Sequence, residues 1–319
     1  MWNFSIATSI SLVLRTYLFT LIRAAVYFGI AAAFVVAAGG GAGVGWAVGS
    51  LAGITGRAPG AFWGAIGGLA VVALMLWGLR EYLLFLVRAG HDAALLLALQ
   101  RADIPAAQGQ IGQALGLVQQ RFREIGTLFA VERAVQGTVA ALIAILDPTR
   151  KLLPDGMQIP AALNPLLAAA LKHLTDVVLV RSLRGRKSPW LESRDALVLL
   201  AQAHEAIIRD ALVLAACAYA ATFVVFLVAL VPASALAQAY PGGTAPIAVL
   251  FAAIFAWSFK QALIEPLVVA STLQAYLGAT ERQSPDPEWD AKLTEASEHF
   301  RELRVRGLGA RRGRSIVSA

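Results

Sequence analysis

Apolar residues in this chain fall into long blocks, and charge returns only between them. Residues 24–55 and 58–79 contain no charged side chain, and residues 211–259 are uncharged over a length sufficient for two crossings. A helix needs about 20 apolar residues to traverse the hydrocarbon of a bilayer. The pattern therefore predicts four spans, at residues 24–47, 62–87, 208–231 and 246–277. Ahead of them, Ile6, Ile10, Val13, Leu14, Tyr17, Leu18 and Leu21 recur at helical spacing, which predicts an amphipathic helix lying in the membrane interface. A secretory signal begins with positive charge, whereas Arg15 and Arg23 come after the first apolar residues, so this segment is expected to be retained.

The stretch between the two pairs of spans is helical in period but not a span. Ile111, Leu115, Val118, Phe122, Ile125 and Phe129 recur at three- and four-residue steps, and a second apolar stretch, 138–146, is stopped by Asp147-Pro148. Residues 157–180 are apolar but interrupted by Pro160, Pro165, Lys172, His173 and Asp176, which fits an interfacial or re-entrant element. After the last span, Asp286 caps a helix with Pro287 in its first turn. Trp289, Leu293, Ala296, Phe300 and Leu303 then form one stripe that must pack on the middle region or on a partner.

The expected architecture is all-α and polytopic. Residues 1–23 form the interfacial helix, 24–90 the first hairpin, and 91–206 a cytoplasmic or interfacial helical region. Residues 207–280 form the second hairpin, 281–306 an amphipathic helix and 307–319 a basic flexible tail.

Composition agrees with this pattern. The chain of 319 residues is 58% hydrophobic and 15% charged, against about 25% charged in an ordinary soluble domain. The net charge of +7 is scattered through the segments between spans, which suits anionic lipid head groups and not nucleic acid. Fifteen basic residues lie from Arg80 to Arg209 and eight after Gly278, whereas the first hairpin tip carries only Arg57 and the second carries none. Basic loops stay on the cytoplasmic side. Both termini and the middle region are thus expected to face the cytoplasm, in a cell inner membrane. Cys217, alone in an apolar run, is expected to be a small buried residue.

The two halves share a layout. Leu21-Ile22-Arg23-Ala24-Ala25 opens the first span and Ile207-Ile208-Arg209-Asp210-Ala211 the third, suggesting a repeat about an axis along the membrane normal. Gly41, Gly45, Gly49 and Gly53 fall four apart, and Gly60, Gly64 and Gly68 repeat the spacing. Each series makes a groove without side chains for close helix packing, either of one span on the other or of a second copy of the chain. Lys260, Gln261 and Glu265 stand in an otherwise apolar span, and Arg80 and Glu81 near the inner end of another. Charge within a membrane is costly unless paired or hydrated and marks a candidate polar site. Pro266 is expected to free the carbonyl of Ala262, a ligand for an ion or a side chain. Neither a Gly-x-Ser-x-Gly nor a His-Glu-x-x-His motif is present. No catalytic residue, metal site or cofactor is expected, and the chain does not read as an enzyme.

Ser193-Arg194-Asp195-Ala196, followed by two spans and then by Tyr276-Leu277 and Glu281-Arg282, resembles the end of the choline-transporter-like membrane proteins. That family's Ser-Ala-Arg-Asn-Ala and Phe-Leu…Glu-Arg segments occupy corresponding places. Its acidic pair after Phe-Leu is replaced here by Gly278-Ala279, and its larger set of spans is missing. The resemblance covers roughly 90 residues and implies transport of a small organic cation. From the residues themselves, the expected function is that of a transporter or channel for a small solute or ion. The competing expectation is a non-catalytic scaffold or subunit that oligomerises through its glycine faces. The partners implied are the lipid bilayer, anionic head groups, and a second copy or another membrane protein.

Overall fold

The computed structural model describes residues 2–99, 111–114, 116, 125–146, 164–184, 187–238 and 245–317, and every regular element among them is helical. In order these are α1 (Ile6–Arg15), α2 (Tyr17–Gly49), α3 (Ile54–Leu99), α4 (Ile125–Leu146), α5 (Asn164–Arg184), α6 (Pro189–Gln202) and α7 (His204–Gln238). There follow α8 (Ala245–Phe259), a π turn (Lys260–Ile264), α9 (Glu265–Thr280), α10 (Pro287–Ala296) and α11 (Glu298–Val317). Four stretches are long and apolar enough to cross a membrane: Tyr17–Ala52, Ile54–Trp77, His204–Gln238 and Pro246–Thr280. Residues 115 and 117–124 of the predicted helix 111–129, and residues 157–163 of the broken apolar segment, lie outside the described residues.

The chain forms two compact units. One comprises Tyr17–Arg88 and Ala218–Pro266, and the other Met1–Thr16, Ala89–Cys217 and Leu267–Ala319. The first, here the span unit, is built with small residues inside. Its core is Ala38, Ala229, Ala233, Phe251 and Ala252, flanked by Val35, Leu69 and Phe226. Large side chains such as Val36, Leu74, Trp77, Phe223, Val228 and Phe255 are exposed. Lipid is as apolar as leucine, so spanning helices gain by close approach through small residues and leave bulky ones facing the acyl chains. Cys217, expected to be buried, is exposed on α7, because the neighbouring Ala215 and Ala218 take the inward positions.

The second unit is a helical bundle with large aliphatic side chains in its interior. α6, capped by Ser188 and started by Pro189, is its central element, with Leu197, Val198, Leu200 and Ala201 wholly buried. α4, α5, α10 and α11 all pack around it. The tail therefore docks on the middle region, through Leu293, Phe300 and Leu303, each fully buried. Its predicted single helix is in fact two. Ser297 adopts extended backbone and its hydroxyl accepts from the N–H of Phe300, so it ends α10 and caps α11. The basic tail beyond Gly307, expected to be flexible, continues as helix to Val317. Gly307 fits there because a Cβ would lie 2.7 Å from Leu191 Cδ2.

The amphipathic segment at the start is also divided. Thr16, with φ −103° and ψ 29°, ends α1, and its hydroxyl donates to the Leu12 carbonyl at 3.0 Å and bonds His91 Nε2 at 3.1 Å. Leu12 and Val13 pack on Leu95, Ala98, Val269 and Ala270, and Ser9 Oγ lies 2.6 Å from Ser271 Oγ. Ile6, Ile10 and Leu14 are exposed on the opposite side. The spanning helix α2 begins at Tyr17, seven residues earlier than the uncharged run indicates, which carries Arg23 into the span.

Candidate functional site

The glycine series close-pack within the first hairpin. A Cβ on Gly45 would overlap the carbonyl oxygen of Gly60 and lie 2.9 Å from Gly64 Cα. Gly41 meets Gly64 and Gly68 in the same way, Gly49 meets Gly56, and Gly68 meets the carbonyl of Ala37. Gly53 does not share this role. It follows the short 3₁₀ segment Ser50–Ala52 with φ +87°, a left-handed conformation that favours glycine, and turns the chain into α3. Beside the contact runs an open apolar groove of about 530 Å³ lined by Gly40, Val44, Val48 and Trp63 among others.

The polar site is built where α2 packs along α8 and the π turn. Pro266 supplies no N–H and its ring clashes with the carbonyl four residues back, so the regular α-helical register is disfavoured there. The chain widens into a π turn in which the N–H of Glu265 reaches the carbonyl of Lys260. In that register the carbonyl left without a backbone donor is that of Gln261, one residue earlier than the α-helical expectation for Ala262. Arg23 fills it, with Nε at 3.2 Å and Nη2 at 2.8 Å from the Gln261 oxygen. Gln261 thus takes part through its backbone.

Lys260 Nζ donates to Glu265 Oε1, and the same ammonium lies 5.3 Å from the centroid of the Tyr219 ring. Arg23 is 2% exposed, Glu265 3% and Lys260 7%. The guanidinium carbon of Arg23 stands 6.0 Å from the Tyr27 ring, which in turn meets Trp257 edge-on at 5.7 Å. Two buried cations thus accompany one carboxylate among the described side chains of this unit. Charge so placed is held by pairing, by carbonyl oxygen and by the negative faces of aromatic rings.

The structure brings together Lys260, Gln261 and Glu265 from the expected set. Arg80 and Glu81 belong to α3, but their side chains lie outside the described residues. Arg23 and Tyr219 were not singled out as site residues by sequence. Arg23 reads there as the last charge before an apolar run, and its counterpart Arg209 behaves so: it is half exposed, pairs with Asp210 and stacks near Trp2. Trp63 and Trp77 are exposed, while Tyr276 is buried and donates its hydroxyl to the Ala196 carbonyl.

A second polar cleft, of about 430 Å³, lies in the bundle unit among Arg181, Lys187, Glu192, Asp195, Glu281 and neighbouring residues. Its charges are largely taken up by one another, with Lys187 Nζ 2.5 Å from Asp195 and Arg181 3.8 Å from Glu192. Asp195 on α6 and Leu277 and Glu281 at the end of α9 border this cleft. Compared with family models, with characterised proteins and with solved structures, the chain matches none.

Proposed function

We propose that this chain is a multi-pass membrane protein that moves a small solute or ion past the Arg23–Gln261 and Lys260–Glu265 centre, with both termini on the cytoplasmic side of an inner membrane. The observation that supports this reading is the buried ionic constellation at a π turn inside a candidate span. A purely structural span gains nothing from two cations and a carboxylate, since well-packed apolar residues of similar volume serve a fold at least as well. π turns also recur at functional sites, because they widen the helix and displace backbone groups from their usual partners.

The test is flux in proteoliposomes, comparing wild type with the double variant Lys260→Met/Glu265→Leu, which removes the ion pair as a unit. Wild type should release a small ion or solute faster than protein-free vesicles, and the folded double variant should not. Absence of any wild-type flux, or identical flux in the double variant, overturns the proposal.

A scaffold that associates through the first hairpin is the second reading. The open groove at Gly40, Val44, Val48 and Trp63 supports it, as the place where a second copy would lie. The glycines expected to carry such association are, however, already occupied inside the hairpin.

A further inference from the structure

α11 has two unlike faces. Phe300, Leu303 and Gly307 are buried against the bundle, while Arg301, Val305 and Leu308, spaced four and three apart, share an exposed face. Val305 is 69% exposed and Leu308 49%. The same spacing continues through position 312. Charge along the helix is one-sided as well. Its two carboxylates, Glu298 and Glu302, fall in the first two turns, and Glu302 is taken by Arg306 at 2.8 Å. From Arg304 to Ala319 the sequence then holds five arginines and no Asp or Glu. The helix dipole favours cations in the last turn only. Arg304 and Arg306 stand three turns or more before Val317, so the dipole does not account for them.

We infer that this face of α11 lies on the surface of an anionic bilayer, with Val305 and Leu308 entering between the head groups and the arginines meeting lipid phosphate. The inference stands independently of the transport reading. The surface is within reach. The last candidate span ends at Thr280, itself part of the bundle unit, and only six residues separate it from α10, at most about 20 Å of chain. That connection is pinned, since Gln202 on α6 donates to the Ser284 carbonyl at 3.2 Å and accepts from the N–H of Asp286 at 3.3 Å. α10, ten residues long, leads directly into α11. Nucleic acid would match the arginines and leave the strip of Val305 and Leu308 in water. A bilayer interface, charged outside and apolar beneath, matches both.

Full-length protein carrying Leu308→Cys in a Cys217→Ala background would be labelled with an environment-sensitive dye and placed in nanodiscs. In phosphatidylglycerol the dye should shift to the blue and be quenched by brominated acyl chains, and added salt should reverse both changes. In phosphatidylcholine neither should occur. Arg311→Gln/Arg312→Gln should weaken the partition of α11 onto phosphatidylglycerol about fivefold per arginine, whereas Arg311→Lys/Arg312→Lys, which keeps the charge, should leave it unchanged. Melting in phosphatidylcholine checks that the glutamine variant is folded. Arg301→Gln, at an exposed position in the first turn, is the second arm and should lose about fivefold by itself. Equal quenching in both lipids would mean apolar insertion without charge and overturns the inference. Quenching in neither lipid overturns it too and leaves the face to a protein partner, and glutamine variants that partition like wild type do the same.

Discussion

Lys260 and Glu265 are five positions apart, yet they are bonded on one face of their helix because the turn between them is a π turn. At about 100° per residue, positions five apart on an α-helix point roughly 140° away from each other. The wider turn at Pro266 brings them back into register. The proline, the ion pair and the carbonyl taken by Arg23 are thus parts of a single local arrangement.

Glu265→Gln should destabilise the protein, because it leaves the buried ammonium of Lys260 without its carboxylate. Breaking a buried pair costs about 3–5 kcal/mol, whereas replacing both partners by apolar residues is often neutral. Thermal melting should therefore show a clear loss for the single variant and recovery in Lys260→Met/Glu265→Leu. A single variant as stable as wild type would show that the pair does not hold the fold.

The hairpin makes a sharper demand on side-chain volume. Gly45→Ala and Gly64→Ala each place a methyl group into opposing backbone, and overpacking of this kind costs about 1–3 kcal/mol. Gly43, on the same helix, has nothing within 4 Å of its Cβ position, so Gly43→Ala should leave stability unchanged or slightly raised. Equal melting of all three variants would show that the contact is not closed in the native protein.

Docking of the tail can be read by limited proteolysis. Phe300→Ala empties a fully buried site and should cost about 3–5 kcal/mol, releasing α11 to protease. Asp290→Asn should have a smaller effect in the same direction. It weakens the 2.8 Å bond from Arg194 Nε, whose guanidinium is held above its ordinary pKa mainly by that hydrogen bond. Wild-type protection in both would place the tail's anchor elsewhere.

Orientation is checked by cysteine labelling in a Cys217→Ala background. Leu51, 88% exposed at the first hairpin tip, and Glu295, exposed on α10, are suitable sites. Leu51→Cys should react with an impermeant thiol reagent on intact cells, and Glu295→Cys only after lysis. The opposite pattern would reverse the topology inferred from the basic residues.

The features legible in the sequence are those whose cause lies within a few residues. Four apolar runs of sufficient length give four spanning helices. Asp286 followed by Pro287 gives a helix start, and the Asp286 carboxylate indeed accepts from the N–H of Glu288 at 2.9 Å. Lys260 and Glu265 stand out because any charge does so against an apolar background. Ser297 gave no comparable signal, since an apolar stripe at helical spacing runs through it and only the observed break reveals its capping hydroxyl.

Tertiary structure alone decided where Arg23 belongs. By periodicity and charge it closes the segment before the first span, as Arg209 does before the third. Only the packing of α2 against the π turn sets its guanidinium on a carbonyl 238 positions away. Proline removes one N–H and opens one carbonyl, a local consequence that sequence predicts to within a residue. Which group answers that opening depends on what another helix presents at the same depth, and no local pattern encodes it. The glycines divide likewise: their spacing determined that a helix would approach closely, and the fold determined that the helix is the partner within the same hairpin.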